Sequence, residues 1–254
     1  RDLAGVYSGL QRWSEALDTL RELHAHAPED PWTNYHLGVI VAPFDPTAAF
    51  VHLEAVRDIP VYAHVARSLL DVLAAHAGGP LVSMHIGLAL FEAEQWAFAE
   101  LAFDHAADIA YPFPDAIAYG ALARVRQGKD GSESIAQAVE LGHNSAQVRY
   151  IQALYLREEN AYAASLEAML QAVVLEPDNP AFMAELGTAY RLTGEAVLAE
   201  QWLRQAVDAS GNAPHFQRLL ALFYAEEGYN LSDEGARVLA RASDDLPDDP
   251  DIRA

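Results

Sequence analysis

Ten histidines and 37 acidic side chains in a chain of 254 residues supply ligands enough for a metal site, and their spacing decides whether one forms. The histidines stand at 24, 26, 36, 52, 64, 76, 85, 105, 143 and 215. No two are three or four apart, the separation that sets a pair of ligands on one helix face. His24 and His26, two apart, point to different sides. With no cysteine in the chain, disulfides, thiolate metal sites and cysteine nucleophiles fall away together. The stretch QGKDGSE, 127–133, has the Gly-Lys of a phosphate loop but neither its earlier glycine nor the Ser or Thr after the lysine. SDDLPDDPD, 243–251, lacks the interior glycine and closing glutamate of a calcium loop and reads as turn chemistry. No G-x-G-x-x-G or G-x-S-x-G motif occurs. The residues therefore announce no catalytic centre, no metal and no cofactor, and the chain is expected to be no enzyme.

Charge narrows the partners. Lys and Arg total 16 against 37 Asp and Glu, a net charge of −21, whose field repels phosphate backbones and anionic lipid. Nucleic acid is excluded as the expected ligand, and a protein or peptide remains. No run of about 18 apolar residues is present to insert in a membrane, and RDLAGVYSGLQRW at the start has no signal-peptide core. A hydrophobic content of 52% is ample for a buried core.

The elements that carry these side chains repeat. Small residues within helical patterns recur at Ala4, Gly38, Gly87, Ala121, Ala153, Gly187 and Ala221, at spacings of 34, 49, 34, 32, 34 and 34. A second ladder, Ala106, Ala138, Ala172, Ala206 and Ala242, recurs at 32, 34, 34 and 36. Two ladders sharing one period mean paired helices. Within 180–213 the pattern predicts a helix over 181–192, a turn at Thr193-Gly194-Glu195 and a second helix over 197–209, each with an amphipathic stripe. A glycine inside a helix costs ~1 kcal/mol against alanine. Gly38, Gly87 and Gly187 are expected to offset that cost by letting a partner helix approach closely.

In their 34-residue frame, LGTAY with GEAVLAEQWLRQAVD and QALYL with NAYAASLEAMLQAVVLEPDN resemble tetratricopeptide repeats, as does IGLALFEAEQWAFAELAFDHAADI in 80–113. Looser copies cover 1–30, 31–60, 114–145 and 214–248. The resemblance implies an all-α, right-handed α-solenoid of helix-turn-helix repeats, about seven units with one extra helix near 61–79. It implies the order 1–60 for N-terminal repeats, the first incomplete, 61–79 for the extra helix at an irregular junction, 80–248 for five further repeats, and 249–254 for the start of another unit or a tail. The 49-residue gap exceeds the period by 15, and VYAHVARSLLDVLAAHAGG, closed by glycines, fills the surplus. An unpaired helix disturbs the alternation of chain direction, so the array is expected to break there into two stacks, or to be capped and restarted. Neither end reads as a polar cap, as expected of part of a longer array.

Such arrays line a concave face with their first helices. By the same resemblance, positions three before, one after and four after each small residue point into it. These include Tyr35, Met84, Phe91, Tyr150, Arg157, Arg191 and Arg218, with His36, His85, Tyr119 and Arg126 close by. The arginines suit a carboxylate or acidic peptide through bidentate hydrogen bonds, or else pair with acids such as Glu158 or Glu185. The aromatic residues suit a ligand, or else packing between repeats. The lysine- and asparagine-rich clamp by which some family members hold two carboxylates is absent. The expected function is a non-catalytic interaction module that holds a peptide or helix of a partner. The alternative is the repeat region of a larger enzyme or regulator, positioning substrate or sensing a ligand. Self-association through end repeats is a further possibility.

Overall fold

A computed structural model describes residues 2–76, 79, 81–228, 235–238 and 240. The acidic stretch 243–251 and the segment 249–254 lie outside them, as do parts of 61–79 and 214–248. Among the described residues there are fourteen named helices and no strand. The chain divides into two compact units, Arg1–Gly142 and His143–Ala254.

The second unit is regular. Hairpins α10 (Ala146–Glu158) with α11 (Tyr162–Leu175) and α12 (Pro180–Leu192) with α13 (Ala196–Ala209) are followed by α14 (Pro214–Glu227). Local chemistry sets their ends. The Ser145 hydroxyl accepts from Val148 N, the Asn179 side chain accepts from Ala181 N and Phe182 N, and prolines open α12 and α14 where a missing N–H costs nothing. The close approach expected at Gly187 is present. A Cβ there would lie 2.8 Å from Leu203 Cγ and 3.1 Å from the Ala199 carbonyl oxygen, so α12 and α13 pack through the bare glycine backbone. Met169, Leu186, Leu203 and Phe223 fill the core between hairpins.

The first unit carries an odd number of helices. It comprises α1 (Asp2–Gly9), α2 (Trp13–His26), α3 (Pro31–Val41), α4 (Pro46–Glu54), α5 (Pro60–His76), α6 (Val82–Glu92), α7 (Trp96–Ile109), α8 (Pro114–Arg126) and α9 (Ser132–Leu141). The unpaired member is α5, which buries Val65, Leu69, Leu70 and Leu73 against its neighbours α4 and α6. One core runs from Tyr35 and Leu53 through Leu69 to Ile86 and Phe103, passing through α5 without a break. Inserting one helix into an alternating pair pattern exchanges the sides of everything after it. Accordingly α3 touches α5 and α7, so a second helix, not the first helix α6, meets the face that α3 lines. Trp13 stands 5.6 Å from the Phe98 ring of α7, and His36 stands 6.4 Å from it.

One turn geometry closes nearly every hairpin. Gln11 (φ 55°), Glu94 (φ 58°), Gly128 (φ 72°), Asn160 (φ 58°) and Gly194 (φ 84°) are left-handed in these turns, each seven residues after a small residue of the first ladder, and Gly228 (φ 59°) takes the same conformation at the end of α14. The chain then returns an N–H to the helix it left, Gln95 N to Leu90 O at 2.8 Å and Glu195 N to Tyr190 O at 2.9 Å, the Schellman arrangement. The α3–α4 turn, through Pro43, departs from this rule, and there Asp45 caps α4 by accepting from Ala48 N at 3.0 Å.

Candidate functional site

In the second unit the face of the first helices is laid over an aromatic floor. The half-buried Tyr150 ring stacks on buried Phe182 with centroids 5.1 Å apart. Two ion-pair rungs cross from helix to helix farther along the same helices. Arg157 at the end of α10 donates to Glu185 of α12 at 2.7 Å, and Arg191 of α12 lies 3.2 Å from Glu226 and 3.6 Å from Glu227 of α14. Arg157 and Glu185 are 28% and 30% exposed, so screening keeps each such rung at or below about 1 kcal/mol. Arg218 is half-buried on α14 and His215 is exposed beside Phe216.

Behind that face is a phenol network that sequence reading missed. Tyr224 is fully buried, and its hydroxyl donates to Glu200 at 2.5 Å while accepting from Arg204 at 2.7 Å. Burial, with Glu200 as acceptor, pushes the Tyr224 phenol far above its ordinary pKa. It stays protonated and ties α13 to α14.

In the first unit the expected site residues fall into three groups. Tyr35, 8% exposed, stacks on Tyr62 of α5 at 4.6 Å, and burial pushes its phenol up to about 12. Met84 is equally buried. These two hold helices together. His36 lies 4.1 Å from the Trp32 ring and donates from Nδ1 to the Trp32 carbonyl at 2.8 Å; burial lowers its pKa. His85 stacks on His76 at 3.8 Å and bonds the Leu81 carbonyl. The third group is a half-exposed cluster, Phe91 against Trp96 at 4.7 Å and Tyr119 at 6.0 Å, with the Arg126 guanidinium 5.4 Å over Trp96.

The strongest polar construction in this unit is centred on Glu100, 7% exposed on α7. Its carboxylate accepts from Gln11 at 2.7 Å, Gln127 at 2.8 Å, Lys129 at 2.9 Å and Arg124 at 2.9 Å. Arg124 also forks onto both oxygens of Asp104 at 2.7 Å. Burial alone would raise the Glu100 pKa, but the bonds from Gln11, Lys129 and Gln127 outweigh it and hold the group below the ordinary range. Gln11 belongs to the α1–α2 turn, so this network clasps the first repeat onto α7. A signal for it existed: a glutamate on the face of α7 that also carries Phe103.

Among the described residues no group of three or more His, Asp or Glu is placed to hold a metal ion, and no helix is long and apolar enough to cross a membrane.

No protein-family model matches the chain, and no curated protein matches it in sequence. Solved structures do match in fold. A thermophilic TPR protein from Thermus thermophilus is 20% identical with a TM-score of 0.56, over 69% of this chain and 95% of that one. Yeast Tom70 is 17% identical with a TM-score of 0.55, over 92% of this chain and 55% of that one. A human IFIT1 dimer with m7Gppp-AAAA is 16% identical with a TM-score of 0.57, over 94% of this chain and 66% of that one. The fold is the tetratricopeptide-repeat fold, all-α and built of helix-turn-helix units.

Proposed function

We propose that the chain is a non-catalytic interaction scaffold that receives an extended peptide or a helix of a partner protein on its first helices. The reading rests on the rungs of the second unit. A guanidinium has five N–H donors in a planar fork, and the contacts of Arg157 and Arg191 with glutamates leave each fork partly exposed, farther along the helices that carry the Tyr150–Phe182 stack. A partner carboxylate or backbone carbonyl would share those forks while an apolar side chain lies on the aromatic floor. Arg218 extends the same series on α14. In the first unit, Phe91, Tyr119 and Arg126 form a separate contact patch of rings and one cation, with His85 on the same helix as Phe91. Arg and aromatic residues are the types that dominate protein interfaces.

An oligonucleotide ligand such as the m7Gppp-AAAA of the IFIT1 structure fits poorly with a net charge of −21. The test is a peptide selected from a displayed library on the intact chain. Its affinity, measured by fluorescence anisotropy, should fall at least tenfold in the Arg157→Ala, Arg191→Ala double variant while circular dichroism is unchanged. Equal affinity in the double variant would refute the placement.

A further inference from the structure

Away from the first-helix faces, a cleft of about 250 Å³ opens between the second helices α2 and α4. Leu37 and Val41 of α3 form its floor, and Leu17 and Phe44 wall one end. Arg21 and His24, on the same face of α2 as Leu17, and His52 of α4 stand toward the other.

The imidazoles are held with unusual definition. Asn34, 3% exposed, donates from Nδ2 to the carbonyls of Pro28 at 2.6 Å and Asp30 at 3.1 Å, which fixes its Oδ1 as the acceptor. That oxygen lies 2.9 Å from His52 Nδ1, so Nδ1 carries the proton and Nε2 keeps a lone pair. The His24 ring meets His52 edge-to-face at 4.9 Å, and its Nδ1 is buried without a hydrogen-bond partner. A buried polar atom left in that state costs free energy. Both rings lie in the last turn of their helices, and burial together with the neighbouring His24 lowers the His52 pKa and favours its neutral form.

Charge runs in one direction along the cleft. Arg21 and His24 face it from α2, His52 and Asp45 from α4; Arg21 also lies 3.5 Å from Asp18 on its own helix, an exposed pair that a bound carboxylate must compete with. Asp45 is seven residues before His52, about 10 Å along a helix at 1.5 Å per residue, and is occupied in capping Ala48. The cations stand toward the His24–His52 end, and the other end carries Leu17 and Phe44 together with the capping Asp45.

We propose that this cleft binds a small monocarboxylate with an apolar tail, its carboxylate received by Arg21, His24 and His52 and its tail laid on Leu17, Leu37, Val41 and Phe44. The volume lies below the usual range of drug-sized pockets, roughly 300–1,000 Å³, which suits a chain of about eight carbons. A carboxylate draws a proton onto His52 against its lowered pKa, so affinity falls as pH rises. The site is independent of the first-helix faces.

The experiment uses octanoate as the probe, titrated into the intact chain while the imidazole signals of His24 and His52 are followed by NMR, with octanol, octylamine and Zn²⁺ as parallel arms. The expected result is saturable binding that moves both rings, at least tenfold tighter at pH 6 than at pH 8. Arg21→Gln, a change on an exposed side chain that leaves the fold intact, should weaken it severalfold, and His52→Gln at least tenfold. The proposal is overturned by the absence of a saturable response, by octanol or octylamine moving the same signals as strongly, by Zn²⁺ shifting both rings where octanoate does not, or by unchanged affinity in both variants.

Discussion

In the second unit, polar contacts link each first helix to the next, Arg157 to Glu185 and Arg191 to Glu226, as a strict pair pattern allows. In the first, the farthest-reaching polar contacts skip across the sequence, from Gln11 to Glu100 and Gln127, and an aromatic contact joins Trp13 to Phe98. The same 34-residue hairpin builds both. The difference is one unpaired helix, α5, which turns α7 toward α3 and gives the first repeat something to close on. A single insertion thus changes which helices line a surface while leaving each hairpin's packing intact.

The largest expected effect breaks the closure. Glu100→Ala removes the acceptor shared by Gln11, Gln127, Lys129 and Arg124 while Arg124 keeps Asp104, a loss of roughly 1–3 kcal/mol. Hydrogen exchange should speed in α1, α2, α7 and α8 and stay unchanged in α12 and α13; uniform acceleration would mean that the clasp does not belong to one unit. Gly187→Leu tests the other side. Overpacking against Leu203 and the Ala199 carbonyl should cost about 1–3 kcal/mol, and a melting temperature equal to the parent's would deny the close approach.

Acid separates the units more gently. His36, His52 and His105, all in the first unit, have pKa values lowered by burial. A histidine whose folded pKa lies below its unfolded value, about 6.5, binds fewer protons folded than unfolded. Its contribution is therefore complete above pH 6.5 and is lost as pH falls from there through the folded value. Unfolding of α3 and α4, read by exchange, should ease between pH 6.5 and 5; resistance to acid would contradict the burial of these rings. The smallest change is a gain. Glu94 holds φ 58° at a hairpin turn, and Glu94→Gly should stabilise by about 0.5–1 kcal/mol in a urea melt, provided relief of strain outweighs the entropy of the added glycine.

Much of the fold was legible because it is locally encoded. The expected helices 181–192 and 197–209 are Pro180–Leu192 and Ala196–Ala209, set by caps, prolines and a left-handed Gly194. The surplus of 15 residues appears as Pro60–His76. The consequence of that surplus was not legible, since which side of α3 meets α7 depends on a count of helices and not on any motif. The same holds for the sites. Arg157 with Glu185 was foreseeable as a pair on the first helices of neighbouring repeats, 28 residues apart. Asn34 with His52, Glu100 with Gln11, and Tyr224 with Glu200, 18, 89 and 24 residues apart, are not marked by the ladders of small residues.

The central claim is that α5 reverses the order of sides and closes the first repeat onto α7. A nuclear Overhauser spectrum of the intact chain, labelled in its tryptophan and phenylalanine rings, tests it directly. Cross-peaks between Trp13 and Phe98, whose centroids lie 5.6 Å apart, are the predicted result. A Trp13 ring with contacts only inside the α1–α3 segment would contradict it.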